Sequence, residues 1–217
     1  MSFQKTLEAS QEWARILHCS YVTDLNEIIE KGDIGELIRV SEALHEKRIA
    51  NIADEIARKI DTRRLVLIAG PSSSGKTSFA QRLRVQLRVL GLEPVSISMD
   101  DYFLDREHTP KKPNGEYDFE CLGAIDLPLF NEHLQKLLAG QRVHVPKFNF
   151  KKGARDEKPS AVIELQPSQP VIIEGIHGLN ERVSSAILRK SSYLLALLMP
   201  MHSFHPAYQP AKYTNQP

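Results

Sequence analysis

The segment Gly70-Pro71-Ser72-Ser73-Ser74-Gly75-Lys76-Thr77 fits the spacing G-x-x-x-x-G-K-[ST] at every defined position. That spacing suits one chemistry. Glycines let the backbone wrap closely round a phosphate chain, and successive N–H groups point inward as an anion nest at the start of a helix. The Lys76 ammonium is then placed to reach β- and γ-phosphates, and the Thr77 hydroxyl to ligate Mg²⁺. With Ser78, these residues are the expected binding surface for a nucleoside triphosphate. Two further positions can supply a carboxylate beside it. Asp100-Asp101 follows one apolar run and Glu174 ends another. A carboxylate there can accept a proton from an attacking hydroxyl or hold Mg²⁺ and orient the nucleophile. The plainer alternatives are a pair of acidic residues capping a loop for Asp100-Asp101 and a strand-end carboxylate in solvent for Glu174.

These groups need a sheet to position them. Leu65 to Ala69 is a continuous apolar run of strand length, the pattern of a strand buried on both faces of a parallel sheet. A helix is expected from Gly75, with Phe79, Leu83, Leu87 and Leu90 on one side and Gly91 ending it. Val95 to Met99 reads as a second strand, 104 to 125 as a long loop, and Asp126 as the cap of a helix closed by Gly140. Extended pieces are expected at 142 to 150 and 161 to 165, and a third strand at Val171 to Glu174. Ligands in open sheets of this class sit beyond the carboxyl ends of the strands, where Asp100 and Glu174 fall. The fold class is therefore α/β, a parallel sheet with flanking helices of the P-loop NTPase type.

A helical segment precedes it. Residues 33 to 60 repeat apolar side chains at three- and four-residue steps, Asp33 and Glu36 are spaced as a capping box, and residues 4 to 30 carry a weaker helical pattern. The expected division is a helical segment at 1–60, a partial P-loop domain at 61–190 and an atypical tail at 191–217. That tail has one charged residue, Lys212, and four prolines.

Composition excludes several classes. Across 217 residues, 28 Lys and Arg against 27 Asp and Glu leave a net charge of +1, too little positive field for a general nucleic-acid or acidic-lipid binder. No specific nucleic-acid partner is expected. The longest apolar run, Tyr193 to Met199, is far short of the ~20 residues that cross a bilayer. Cys19 and Cys121 lie apart without metal-ligand spacing, and the N-terminus has no apolar h-region, so a cytoplasmic setting is expected. Neither an N-K-x-D nor an L-S-G-G-Q signature is present. Oligomeric state is left open.

GPSSSGKTSFAQRL, SMDDYF, YDFE, VPKFNF and VIIEGIHGLN, in that order, resemble the uridine kinase / phosphoribulokinase family of P-loop kinases. More narrowly, they look like bacterial uridine-kinase-like proteins whose extra N-terminal domains are similar to parts of threonyl-tRNA synthetase. The resemblance covers about residues 60 to 180. It implies transfer of the ATP γ-phosphate, with Mg²⁺, to a hydroxyl of a uridine- or cytidine-like nucleoside or a related small alcohol. By position it makes Asp100 the general base, working with Lys76. Asp118 then holds the ribose hydroxyls, and Phe148 and Phe150 wall the nucleobase. Strand packing is the other reading of those two phenylalanines. A Tyr or His to hydrogen-bond the base is not evident near them. Lys151, Lys152 and Arg155 read as a solvated loop, and His177 as either packing or a substrate contact.

The end of the chain departs from the family, in which a lid helix with several arginines and two further strands follow the EGIHGLN-like segment. Beyond Arg189 there is no arginine, and Lys190 and Lys212 are the remaining cations. The expectation is a chain truncated at both ends, with slow phosphoryl transfer. Tyr193 to Met199 is its one candidate fourth strand. A nucleotide-binding module with little or no transfer is accordingly the alternative to the kinase.

Overall fold

The computed structural model describes residues 3–178, 180, 182, 183 and, as backbone, 192–196. Contacts divide the chain into a unit containing Met1–Ser41 and a unit Glu42–Leu197. The first holds α1 (Phe3–Ile16), α2 (Val22–Glu30) and the start of α3 (Ile34–Ala57). The helical pattern of 4 to 30 is thus interrupted, at a turn where His18 takes a left-handed φ of 49°. At the spacing expected for a capping box, the Glu36 N–H donates to the Asp33 carbonyl at 3.0 Å and the Glu36 carboxylate meets Arg39 at 2.7 Å. Asp24 does the capping for α2, accepting from the Ser20 and Tyr21 backbone N–H groups at 2.8 and 2.9 Å.

In the second unit the order is β1 (Leu65–Ala69), α4 (Lys76–Val89), β2 (Val95–Ser98), α5 (Leu127–Leu138), β3 (Val143–Val145), β4 (Phe148–Asn149), β5 (Ala154–Arg155), β6 (Ala161–Ile163), β7 (Val171–Gly175) and β8 (Ser192–Ala196). β2, β7, β1 and β8 form one parallel sheet in that spatial order. β3 pairs with β6, and β4 with β5, as small antiparallel ribbons.

The apolar run of β1 is explained by what lies on each face. Successive side chains in a strand alternate faces. Val66 and Ile68, with Ile172 of β7, pack against Ile49, Ala53 and Ile56 of α3 and Leu83 and Leu87 of α4. Leu65 and Leu67, with Ile173, meet Ile97 and the Phe130, Leu134 and Leu137 face of α5. Each such side chain contributes about 1.5–3 kcal/mol by leaving water. The sheet is therefore held rigid between two helical layers, and its strand ends are fixed points on which loops can carry chemistry.

Helix ends fall where the punctuation put them. Gly91, at φ 80°, closes α4, with Leu92 N–H returning to Leu87 O at 3.1 Å. Asp126 Oδ1 accepts from Leu129 N–H at 3.1 Å to open α5, and Gly140 follows its end at φ 73°. The second strand ends one residue earlier than expected, at Ser98, because Met99–Tyr102 turns into a short 3₁₀ helix. Part of the basic stretch is a strand, β5, rather than loop. The candidate fourth strand is present as Ser192–Ala196, beside β1. Arg189, Lys190 and residues 197–217, Lys212 among them, lie outside the described residues. No described helix is long and apolar enough to cross a membrane.

Candidate functional site

The loop between β1 and α4 has the backbone its sequence requires. Ser73 and Gly75 take left-handed φ values of 59° and 83°, so the chain reverses twice within three residues before the helix begins at Lys76. No side chain caps α4 at Gly75. Its first-turn N–H groups therefore face outward as donors for an anion. Lys76 Nζ donates to Pro71 O at 2.8 Å, so the ammonium is held across the mouth of the loop. Gly70, Pro71, Ser72 and Ser78 complete the loop. Ser74 Oγ, within it, is enclosed without a hydrogen-bond partner, as is His177 Nε2 beyond β7.

Strand register brings the acidic residues to the same edge. Glu174 lies opposite both Ile68 of β1 and Ser98 of β2, between the phosphate loop and the 3₁₀ turn. Thr77 Oγ1 lies 3.1 Å from each Glu174 carboxylate oxygen. Two hard oxygen donors from adjacent elements thus stand together, a set that suits Mg²⁺ shared with phosphate oxygens. Among the described residues no cluster of three or more His, Cys, Asp and Glu forms a ready-made cage.

Asp100 and Asp101, indistinguishable in the sequence, are separated by the structure. Asp101 Oδ1 is tied to Lys147 Nζ at 3.0 Å and to Phe148 N–H at 3.4 Å. Asp100 is half-buried, its N–H donates to Ser98 Oγ at 3.3 Å, and its carboxylate has no hydrogen-bond partner among the described residues. Burial, and then the Glu174 carboxylate, push the Asp100 carboxyl above its usual range, while Lys76 pulls it down. A free, desolvated carboxylate of raised basicity beside a phosphate loop is equipped to accept a proton. Gly175 makes this approach possible. A Cβ there would meet Met99 Cβ at 2.7 Å, so only glycine lets the turn carrying Asp100 settle on β7.

The remaining predicted residues lie on the loop side of Asp100. Phe148 and Phe150 are not equivalent. Phe148 is 3% exposed and belongs to the main core, while Phe150 is 57% exposed. Their rings lie 5.1 Å apart, and both meet Phe103, at 5.5 and 5.9 Å, in an edge-to-face cluster three residues along from Asp100. Phe119 and Tyr117 extend it. Asp118, between them, accepts from Glu120 N–H at 3.2 Å within its own loop.

Arg155 is no solvated loop residue. Its guanidinium donates to Phe103 O at 3.1 Å, Tyr102 O at 3.0 Å and Asp126 Oδ2 at 3.1 Å, and its N–H to Asp105 Oδ1 at 3.0 Å. It bolts the segment after Asp100 to the cap of α5. Sequence spacing carries no signal for this contact across 52 residues. Ser98 could have been found, since a hydroxyl two residues before an aspartate at a strand end is a local cap.

The sequence profile described as the Phosphoribulokinase / Uridine kinase family matches residues 65–190. Among curated proteins, the uridine kinase of Tolumonas auensis is 29% identical over 132 residues, 60% of each chain. That of Erwinia tasmaniensis is 32% identical over 114 residues, 52% of each. The chain thus spans somewhat over half the length of these relatives. Among solved structures, a protein provisionally described as a fructose transport system kinase from Silicibacter sp. TM1040 aligns with a TM-score of 0.53 at 21% identity, over 70% of this chain and 75% of that one. One provisionally described as a uridine kinase from Bacillus stearothermophilus aligns at 0.51 and 20%, over 66% and 78%. These two likenesses concern the fold.

Proposed function

Because the chain belongs to the Phosphoribulokinase / Uridine kinase family, we propose that it is an ATP-dependent kinase acting on a hydroxyl of a uridine- or cytidine-like nucleoside or a related small alcohol. The observation that carries this reading is the meeting of Thr77, Glu174 and the unpartnered Asp100 at one sheet edge. Residues 61–190 form the kinase part in this proposal, after a helical segment 1–60 and before a tail 191–217. A cytoplasmic setting goes with an ATP-consuming reaction and with Cys19 and Cys121 as free thiols.

In the proposed reaction, residues 70–78 hold the triphosphate through backbone N–H groups, and Lys76 swings from Pro71 O to the β- and γ-phosphate oxygens. Asp100 takes the proton of the acceptor hydroxyl as its oxygen bonds to the γ-phosphorus. The bond to the bridging oxygen breaks, and ADP leaves. Thr77 and Glu174 would hold Mg²⁺, which supplies neutralisation of charge on the phosphate oxygens. Asp118 binds acceptor hydroxyls, and the exposed Phe150 walls its ring, with Phe148 packed in the core beneath it rather than against the acceptor.

The test is ADP release by the purified chain with Mg·ATP and a panel of nucleosides and small alcohols, with products weighed by mass spectrometry. Alcohol-dependent release and a product heavier by one phosphoryl group are expected. ATP binding without release on any alcohol would make the chain a nucleotide-binding module instead.

A further inference from the structure

We propose that Tyr102 and His133 are positioning residues for the transfer step: the bond between the Tyr102 hydroxyl and the His133 ring pins the short turn that carries Asp100. The inference rests on the kinase reading above and concerns how its base is held.

Asp100 depends on its backbone for its place. Its carboxylate has no hydrogen-bond partner among the described residues, so the 3₁₀ turn Met99–Tyr102 decides where the proton acceptor stands. Met99 seats one end of that turn on Gly175 of β7. Tyr102 forms the other end. Its carbonyl accepts from Asp126 N–H at 2.9 Å and from Arg155 Nη2 at 3.0 Å. Its ring is fully buried and reaches α5, where the hydroxyl lies 3.0 Å from His133 Nδ1. The rings of Phe130 and His133 meet it edge to face at 5.0 and 5.6 Å. A tyrosine side chain has two rotatable angles. With its carbonyl and its hydroxyl both held, the Cα between them, two residues from Asp100, has little freedom left.

The direction of the bond follows from the charge each group can bear. Burial, and then Asp101, push the Tyr102 phenol above its usual range against the pull of Arg155, so it keeps its proton and donates. Burial holds His133 below the usual imidazole range; Glu132 and Asp126 oppose this, and Lys136 and Arg155 add to it. The neutral ring then offers Nδ1 as an acceptor.

A buried hydroxyl needs a partner in any protein, so a satisfied core tyrosine is the competing account. The two accounts part when both partners are made apolar, a change that is close to neutral for stability. If the bond only satisfies the core, activity returns with stability. If it positions Asp100, activity stays low after stability has recovered, because a misplacement of about 1 Å can cost ~10²-fold.

The experiment measures kcat, KM for ATP and the unfolding midpoint of the full chain and four variants, with Mg·ATP and uridine. Tyr102→Phe, and Tyr102→Phe combined with His133→Leu, should unfold close to wild type, yet show kcat lower by roughly tenfold or more at unchanged KM for ATP. His133→Leu alone strands the hydroxyl and should lower both midpoint and kcat. His133→Asn, whose amide oxygen can stand where Nδ1 does, should restore both. Wild-type kcat in Tyr102→Phe and in the double variant overturns the inference and leaves the kinase reading standing. A kcat that simply follows the unfolding midpoint across the four variants does the same. Absence of transfer to uridine by wild type overturns the nucleoside-kinase reading and the inference with it.

Discussion

The two sides of the site are built in different ways. On the phosphate side, the groups come from one contiguous loop, Gly70 to Thr77, and from two strand ends whose neighbours are set by sheet register. On the acceptor side, Phe103, Arg106, Tyr117, Phe148, Phe150 and Arg155 come from separate loops and two-residue strands, joined by side chain to backbone bonds such as Arg155 to Phe103 O. The difference teaches where reaction and specificity are stored. On the proposed kinase reading, a rigid edge between two packed cores fixes the reaction, and loops held by a few polar contacts set what is phosphorylated.

The largest expected effect breaks the phosphate side alone. Asp100→Asn should lower kcat by ~10²–10⁴-fold while leaving ATP affinity intact, since it removes a proton acceptor and little binding. Stopped turnover measured alongside ATP titration checks this. The pH dependence carries the same signature. Burial and Glu174 raise the Asp100 pKa, so the acid limb of kcat should lie above the ordinary aspartate value and vanish in the Asn variant. In stability the sign reverses. A raised folded pKa contributes stability below the unfolded pKa and loses it as pH rises through the folded value. Asp100→Asn should therefore unfold at neutral pH no earlier than wild type.

Lys76→Ala should weaken ATP binding by ~10–100-fold, the worth of charge-assisted bonds to phosphate, without altering affinity for the acceptor. Arg155→Ala should act in the opposite sense. The Arg155–Asp126 pair is only 25% and 24% exposed, and its loss strands two carbonyls, so a stability cost of about 1–3 kcal/mol is expected in denaturant unfolding. KM for the acceptor should rise more than KM for ATP. The smallest effect sharpens the contrast. Phe150→Ala should change stability by no more than ~0.5 kcal/mol, because the ring is exposed, yet weaken acceptor binding severalfold.

Legibility in the sequence follows the same divide. The β1 run, the phosphate loop and the Asp126 cap were readable because each is a local pattern: two-sided burial, a fixed glycine spacing, a side chain three residues from its N–H. Asp100 and Glu174 could be placed at strand ends for the same reason. What separated Asp100 from Asp101 was a partner 46 residues away, Lys147, and no periodicity announces it. Arg155 read as solvated because charge clusters usually are, and only the folded loop supplies the three acceptors that bury it. Phe148 and Phe150 share a face in an alternating strand. The short β4 ends between them, so one ring enters the core and the other stays at its rim.

The central claim is that this sheet edge moves a phosphoryl group with Asp100 as base. It is tested most directly by incubating the chain and its Asp100→Asn variant with γ-labelled ATP, Mg²⁺ and uridine and following the label. The account predicts label on the nucleoside hydroxyl with wild type, and at least ~10²-fold slower appearance with the variant at unchanged ATP occupancy. Transfer at the same rate by both proteins would contradict it.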